Sequence, residues 1–98
     1  MRIRWSPTAI ADLQAIRAYI AHDNPSAARK VAIRIKEAAI RLSRFPLSGR
    51  LGRVPGTREL VIPGTSYIAA YVVTTDEVQI AAVLHGKQRW PASFPAGL

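Results

Sequence analysis

The sequence predicts an α+β domain in the order β-α-α-β-β-β, with a helical hairpin packed on one face of a small antiparallel sheet. Three observations carry the prediction. Two helical periodicities stand back to back in the first half, each opened by a capping residue and a proline, Ser6-Pro7 and Asn24-Pro25. After Thr57 the hydrophobic pattern changes from helical to alternating. Both halves carry apolar stripes, and a hairpin lying on a sheet is the simplest way to bury them together. At 98 residues there is room for one such domain, taken as 1–98.

Arg2-Ile3-Arg4-Trp5 alternates polar and apolar, so a short strand should turn Ile3 and Trp5 inward. Ser6 is a good N-cap and Pro7 suits the first helical position, which starts a helix running to about His22. Its core stripe is Ala9, Leu13, Ile16 and Ile20, flanked by Ile10 and Tyr19. Asn24-Pro25 opens the second helix by the same device, and the tight turn makes the pair antiparallel. Ala28, Val31, Ile35, Ala38, Leu42 and Phe45 form its stripe, and Pro46 ends it. Lys30, Arg34, Arg41 and Arg44 make a basic ridge beside the stripe, whereas Ile33 and Ile40 project nearly opposite the core. Leu47 to Gly56 reads as an irregular basic loop. Arg58, Leu60 and Ile62 share one face of the next strand, Pro63-Gly64 turns, and Tyr67 to Thr74 is a largely buried strand. Thr75 to Glu77 turns again into Val78–Leu84, with Val78, Ile80, Ala82 and Leu84 assigned to one face.

Composition narrows function by exclusion. Hydrophobic residues at 49% and charged residues at 20% suit a globular chain and exclude a disordered one. With no Cys, disulfides, thiolate metal sites and cysteine nucleophiles are excluded together. The N-terminal residues lack a secretory h-region and no window has the length of a membrane span, so a cytoplasmic protein without a membrane partner is expected. The net charge of +8 implies an anionic partner. It is carried by residues 29–58, which hold nine basic residues and one acid, Glu37; five basic and five acidic residues elsewhere cancel. A solvated helix face and a nucleic-acid or acidic-protein footprint both fit that distribution.

Familiar catalytic constellations are missing from the sequence: there is no HExxH, no Gly-rich phosphate loop and no GxSxG. His22 and His85 are isolated, so no metal site and no cofactor is expected. The remaining group is Arg58, His85, Lys87 and Arg89, which could act on RNA if the fold brought them together, with His moving protons and the cations stabilising phosphate charge. Trp90-Pro91 reads as a plug that pins the tail.

Taken together, Trp5-Ser6-Pro7, Asp12-Leu13, Ile16, Tyr19-Ile20, Asn24 to Ala28, Phe45-Pro46, Gly49-Arg50, Gly56 to Leu60, Tyr67-Ile68, Tyr71, His85 and Arg89-Trp90-Pro91 resemble the RelE/ParE superfamily in order and spacing. The likeness spans nearly the whole chain. It implies a toxin of plasmid-stabilisation type from a type II toxin–antitoxin module, with the same fold and an antitoxin segment that wraps it as a hetero-oligomer. ParE-like members of that superfamily inhibit DNA gyrase by binding. RelE-like members cut mRNA in the ribosomal A site with basic residues of the sheet and tail, and place a key arginine just after the position matched here by Tyr67. This chain has Ile68 there. The long hairpin and Leu84-His85-Gly86 look more ParE-like, which implies growth inhibition through gyrase; the alternative is a ribosome-dependent mRNA endonuclease. In the nuclease case His85 or Lys87 would move protons while Arg58 and Arg89 hold phosphate. Arg50, Arg53, Arg58, Lys87, Arg89 and Trp90 are the candidate target- or RNA-binding residues, and Arg29, Ile33, Lys36 and Ile40 the candidate antitoxin contacts.

Overall fold

A computed structural model describes residues 1–95. The elements run β1 (Arg2–Trp5), α1 (Pro7–Asp23), α2 (Pro25–Arg41), β2 (Arg50–Leu51), β3 (Arg58–Val61), β4 (Tyr67–Val73) and β5 (Glu77–His85). Both helix starts form as the sequence implies. Ser6 Oγ accepts from the Ala9 N–H at 3.0 Å, and Asn24 Oδ1 accepts from the Ala27 N–H at 3.1 Å. Asn24 also donates its own N–H to Ile20 O, so one residue closes α1 and opens α2.

The α+β prediction holds, with the hairpin on one face of the sheet, and four details differ. The sheet has five strands in the order β1-β5-β4-β3-β2 and is mixed, because β1 runs parallel to β5 while the other neighbours are antiparallel. The meander β2–β5 leaves β5 as its free edge, and the chain direction into α1 sets β1 beside it. The extra strand β2 lies in the stretch expected to be irregular; two residues are too few to show alternation.

Phe45 is not core. After Arg41 the backbone tightens, with Leu42, Ser43 and Arg44 each donating to the carbonyl three residues back. That shortens the repeat and swings Phe45 off the stripe, leaving it 63% exposed while Leu42 is fully buried. The fourth difference is a bulge in β5. Ala70 pairs with Ala82 but Tyr71 pairs with Ile80, so Ala81 is an inserted residue that reverses the alternation. Val78, Ile80 and Val83 therefore enter the core under the hairpin with Ala69 and Tyr71, whereas Ala82 and Leu84 face the other way.

The bulge is fastened from the N-terminal third of the chain. Ser6 Oγ donates to Ala81 O at 2.8 Å, and the Val83 N–H donates to Asp12 Oδ2 at 3.0 Å, so the groups that the ladder loses at the bulge are paired again. Burial pushes the Asp12 carboxyl above its ordinary value, and the Val83 N–H partly offsets this. Among the described residues no helix is long and apolar enough to cross a membrane.

Candidate functional site

The side of the sheet away from the helices carries its own buried layer. Ile68 pairs with Leu84 and Ala70 with Ala82 across β4 and β5, and all four are buried. Glu59 lies beside Ala70 on β3. The alternation that points Leu60 and Ile62 into the core points Glu59 to this far side.

Glu59 organises the basic loop around itself. Oε1 accepts from Arg50 Nε at 3.2 Å and Nη2 at 3.0 Å, and from Arg53 Nη2 at 3.2 Å. Oε2 accepts from the Arg53 backbone N–H at 2.8 Å and from Arg53 Nε at 3.0 Å. The Glu59 side chain is 2% exposed, against 55% and 43% for those of Arg50 and Arg53, so a buried anion holds two cations at the surface. Burial pushes this carboxyl up. The donors of Arg53 and then Arg50 outweigh it and hold Glu59 down to about 2.

The network reaches the C-terminal tail. The Arg53 guanidinium stacks over the Trp90 ring at 3.8 Å, and Trp90 Nε1 donates to His85 O at 3.3 Å. Gly86 N–H donates to Ser66 O at 2.9 Å, and a Cβ on Gly86 would touch Ile68 Cδ1, so the tail starts directly against Ile68. Trp90, half-buried, ties the tail back to the β2–β3 loop. Arg50, Arg53 and Trp90, three of the target-binding candidates, thus come together through Glu59, which sequence reasoning missed. The available signal was the acid that follows immediately on the basic segment.

Arg58, by contrast, does not join the tail. Its guanidinium donates to Gly49 O at 2.8 Å and more weakly to Leu47 O at 3.4 Å, where the Tyr71 hydroxyl also ties the loop by donating to Pro46 O and accepting from the Gly49 N–H. Arg58 pairs with Tyr71 and His85 with Tyr67, so they lie on opposite sides of β4 and four residues apart along it, about 13 Å at the rise of a strand. His85 and Lys87 lie in one turn, closed by the Gln88 N–H donating to His85 O at 3.1 Å, and Arg89 follows it. His85 Nδ1 accepts the Lys87 backbone N–H at 3.0 Å, which leaves the neutral ring its proton on Nε2, and the ring stands edge-on to Tyr67. Lys87 and Arg89 are exposed.

The antitoxin candidates lie elsewhere, on the hairpin. Arg29, Ile33, Lys36 and Ile40 follow one line along the outside of α2, with Ile33 at 52% and Ile40 at 63% exposure.

A family model described as the ParE toxin of the type II toxin–antitoxin system parDE matches residues 3–90. The chain belongs to this ParE toxin family. Y4kP of Sinorhizobium fredii is 46% identical over 90 residues, covering 92% of this chain and 93% of that protein. Toxin RelE2 of Caulobacter vibrioides is 37% identical over 84 residues, covering 86% and 93%. Among solved structures, a chain of the chromosomal ParDE toxin–antitoxin system from P. aeruginosa superposes with a TM-score of 0.76 at 31% identity, over 87% of this ParE-family chain and 95% of that one. A chain of the toxin–antitoxin complex RelBE2 from Mycobacterium tuberculosis gives 0.61 at 26% identity, over 86% and 95%. Both ParE-like and RelE-like names thus occur among its relatives, and the RelE/ParE resemblance of the sequence is confirmed.

Proposed function

We propose that this toxin arrests growth by binding DNA gyrase through the tail and the Arg50–Arg53 loop, and that a cognate antitoxin neutralises it by engaging Arg29, Ile33, Lys36 and Ile40. The observation that carries the gyrase reading is the composition of the far side of the sheet. At the position where a RelE-like nuclease would have its arginine stands Ile68, buried against Leu84 and Gly86. Arg50 and Arg53, gathered on this side of the sheet, are already paired to Glu59. Stabilising a phosphorane-like transition state needs cations preorganised at one point, and Arg58 stands apart from the tail. His85 is also ill-suited as a general base, because its free acceptor nitrogen is occupied by the Lys87 N–H. The surface formed by Arg53, Trp90, Lys87 and Arg89 suits protein binding, since an aromatic and an arginine locked together form a rigid anchor. The antitoxin reading is supported by the two solved relatives, each from a named toxin–antitoxin pair.

Two assays of the purified chain separate the activities: DNA supercoiling by gyrase, and primer extension on a reporter mRNA in a reconstituted translation reaction. Inhibited supercoiling with intact mRNA is the expected result. Cuts at A-site codons with normal supercoiling would overturn it and make the endonuclease the activity.

A further inference from the structure

We propose that a corner of the sheet left bare on the hairpin side is a second contact with the target, a cup that takes an apolar side chain of gyrase together with a neighbouring carboxylate; this rests on the gyrase reading above and deepens it. A cavity of ≈ 530 Å³ opens there, with Leu47, Leu51, Arg58 and Val73 among its walls.

The strand register explains why the corner is bare. Leu51 pairs with Arg58 and Arg58 with Tyr71, so the three share the face on which Tyr71 enters the core. Val73, two residues beyond Tyr71, shares it too and packs at the margin of the core. The helix layer does not reach this far. α2 ends at Arg41, the backbone tightens, and the segment from Pro46 to Gly49 is drawn down by the Tyr71 hydroxyl and the Arg58 guanidinium. Beside that segment Leu47 is 64% exposed and Leu51 79%. Phe45 is exposed just before them. Single exposed apolar side chains are ordinary; three within seven residues, two of them walling a cavity, mark a contact surface.

Arg58 sets the chemistry of the occupant. Its Nη1 donates to Gly49 O and Leu47 O, which fixes the guanidinium at the cavity wall. Among the described residues no carboxylate lies within salt-bridge distance of it; the ion pairs engage Arg2, Arg4, Arg50 and Arg53. Glu59, next in sequence, faces the far side of the sheet with Arg50. Nε and Nη2 of Arg58, with no partner among the described residues, can donate to a carboxylate from outside. A leucine-walled cavity with one fixed cation fits an apolar side chain beside an Asp or Glu. No atom lies within 4 Å of where a Cβ on Gly56 would stand, so this part of the wall is clear for a partner's backbone.

The cup is also continuous with the loop assigned above to the target. Arg50 and Arg53 face the far side through Glu59, while Leu51 between them faces the hairpin side. β2 is an edge strand, so the loop projects and one partner can grip it from both sides. A second copy of this chain would set Arg58 against Arg58 across a two-fold axis and bring together two chains of net charge +8, which disfavours a homodimer here.

The test uses the full chain, without antitoxin, and purified gyrase. Leu47→Ser with Leu51→Ser alters two exposed positions, so circular dichroism should match wild type; the dissociation constant for gyrase should rise about 30-fold or more, and the concentration that inhibits supercoiling should rise with it. Arg58→Met keeps the stem and removes the cation. It should weaken binding by about tenfold and flatten its dependence on salt, which a loosened loop alone would not do. Tyr19→Ser, at an exposed position on α1, should stay within about threefold. A photo-crosslinking residue in place of Leu51 should capture a gyrase subunit, and one in place of Tyr19 should not. A folded Leu47/Leu51 variant that binds gyrase like wild type, an intact complex with no cross-link from position 51, or a cross-link from it to a second copy of this chain instead of gyrase overturns the cup and leaves the gyrase reading standing. An Arg58→Met variant with the salt dependence of wild type overturns the carboxylate. A wild-type chain that binds no gyrase overturns both readings.

Discussion

Replacing Glu59 by Gln removes the anion that holds Arg50 and Arg53 while preserving the shape of the side chain. The carboxyl stands at about 2 against an ordinary 4.5, which at 1.36 kcal/mol per pH unit corresponds to about 3 kcal/mol of stabilisation. The two guanidinium groups are half exposed, so solvent screens part of this and about 2 kcal/mol is the expected loss at neutral pH. For a domain of this size that lowers the melting temperature by about 8–16 °C. The lowered Glu59 carboxyl also makes stability depend on pH. Between pH 4.5 and 2 the unfolded chain takes up a proton at this carboxyl that the folded chain refuses, so the contribution is complete above pH 4.5 and is lost as the pH falls toward 2. Urea unfolding of wild type and E59Q from pH 7 to pH 3, followed by tryptophan fluorescence, measures both effects. Asp12 and Glu77 titrate in both proteins, so the difference between the two curves isolates Glu59. Curves that run parallel down to pH 3, or a variant as stable as wild type at pH 7, would refute the argument that this carboxylate anchors the loop.

Three other substitutions test separate steps. Ile68→Arg buries a guanidinium against Leu84 and the start of the tail, so urea unfolding should show a loss of about 2–4 kcal/mol, and primer extension should show no A-site cuts; cleavage by this variant would count for the nuclease. Ser6→Ala removes both the cap of α1 and the donor to Ala81 O at the bulge, and the same measurement should register a loss of about 1–3 kcal/mol. Phe45→Ser should change stability by less than about 0.5 kcal/mol, where a side chain in the α2 stripe would cost several times more.

The helices were legible because their signals are local and redundant. Ser6-Pro7 and Asn24-Pro25 each combine a side-chain acceptor with a preset φ, and the spacing Ala28, Val31, Ile35, Ala38, Leu42 allows one buried face. The strands of the meander were legible as strands, but the faces of β5 were not. Val78 to Leu84 contains six apolar residues in seven, so an extra residue at Ala81 leaves no mark on the pattern, and its cause lies some seventy residues away in Ser6 and Asp12. Phe45 was misplaced for a related reason: helical spacing carries no sign of where the backbone tightens. On the far side, Arg50, Arg53 and Trp90 could be named from charge and residue type. Their convergence depends on the pairing of β2 with β3, which sets Arg50 opposite Glu59.

The network also changes what the net charge means. Of the nine basic residues between 29 and 58, Arg50 and Arg53 share Glu59, and Arg58 is tied to loop carbonyls. The cations that face outward without such ties are mostly those of α2, so the charge that reads as a basic central segment is displayed on the hairpin. The tail cations Lys87 and Arg89 lie with Trp90, whose partner Arg53 is bound on the far side of the sheet. An antitoxin that engages Arg29, Ile33, Lys36 and Ile40 on the outside of α2 therefore leaves the tail uncovered, with the helix layer and the sheet between them. If the tail meets the target, neutralisation requires the antitoxin to continue past the hairpin and around a sheet edge. An antitoxin fragment limited to its contacts with α2 should then bind this chain in calorimetry yet fail to relieve its inhibition of gyrase, and relief by that fragment would place the target surface on the hairpin itself.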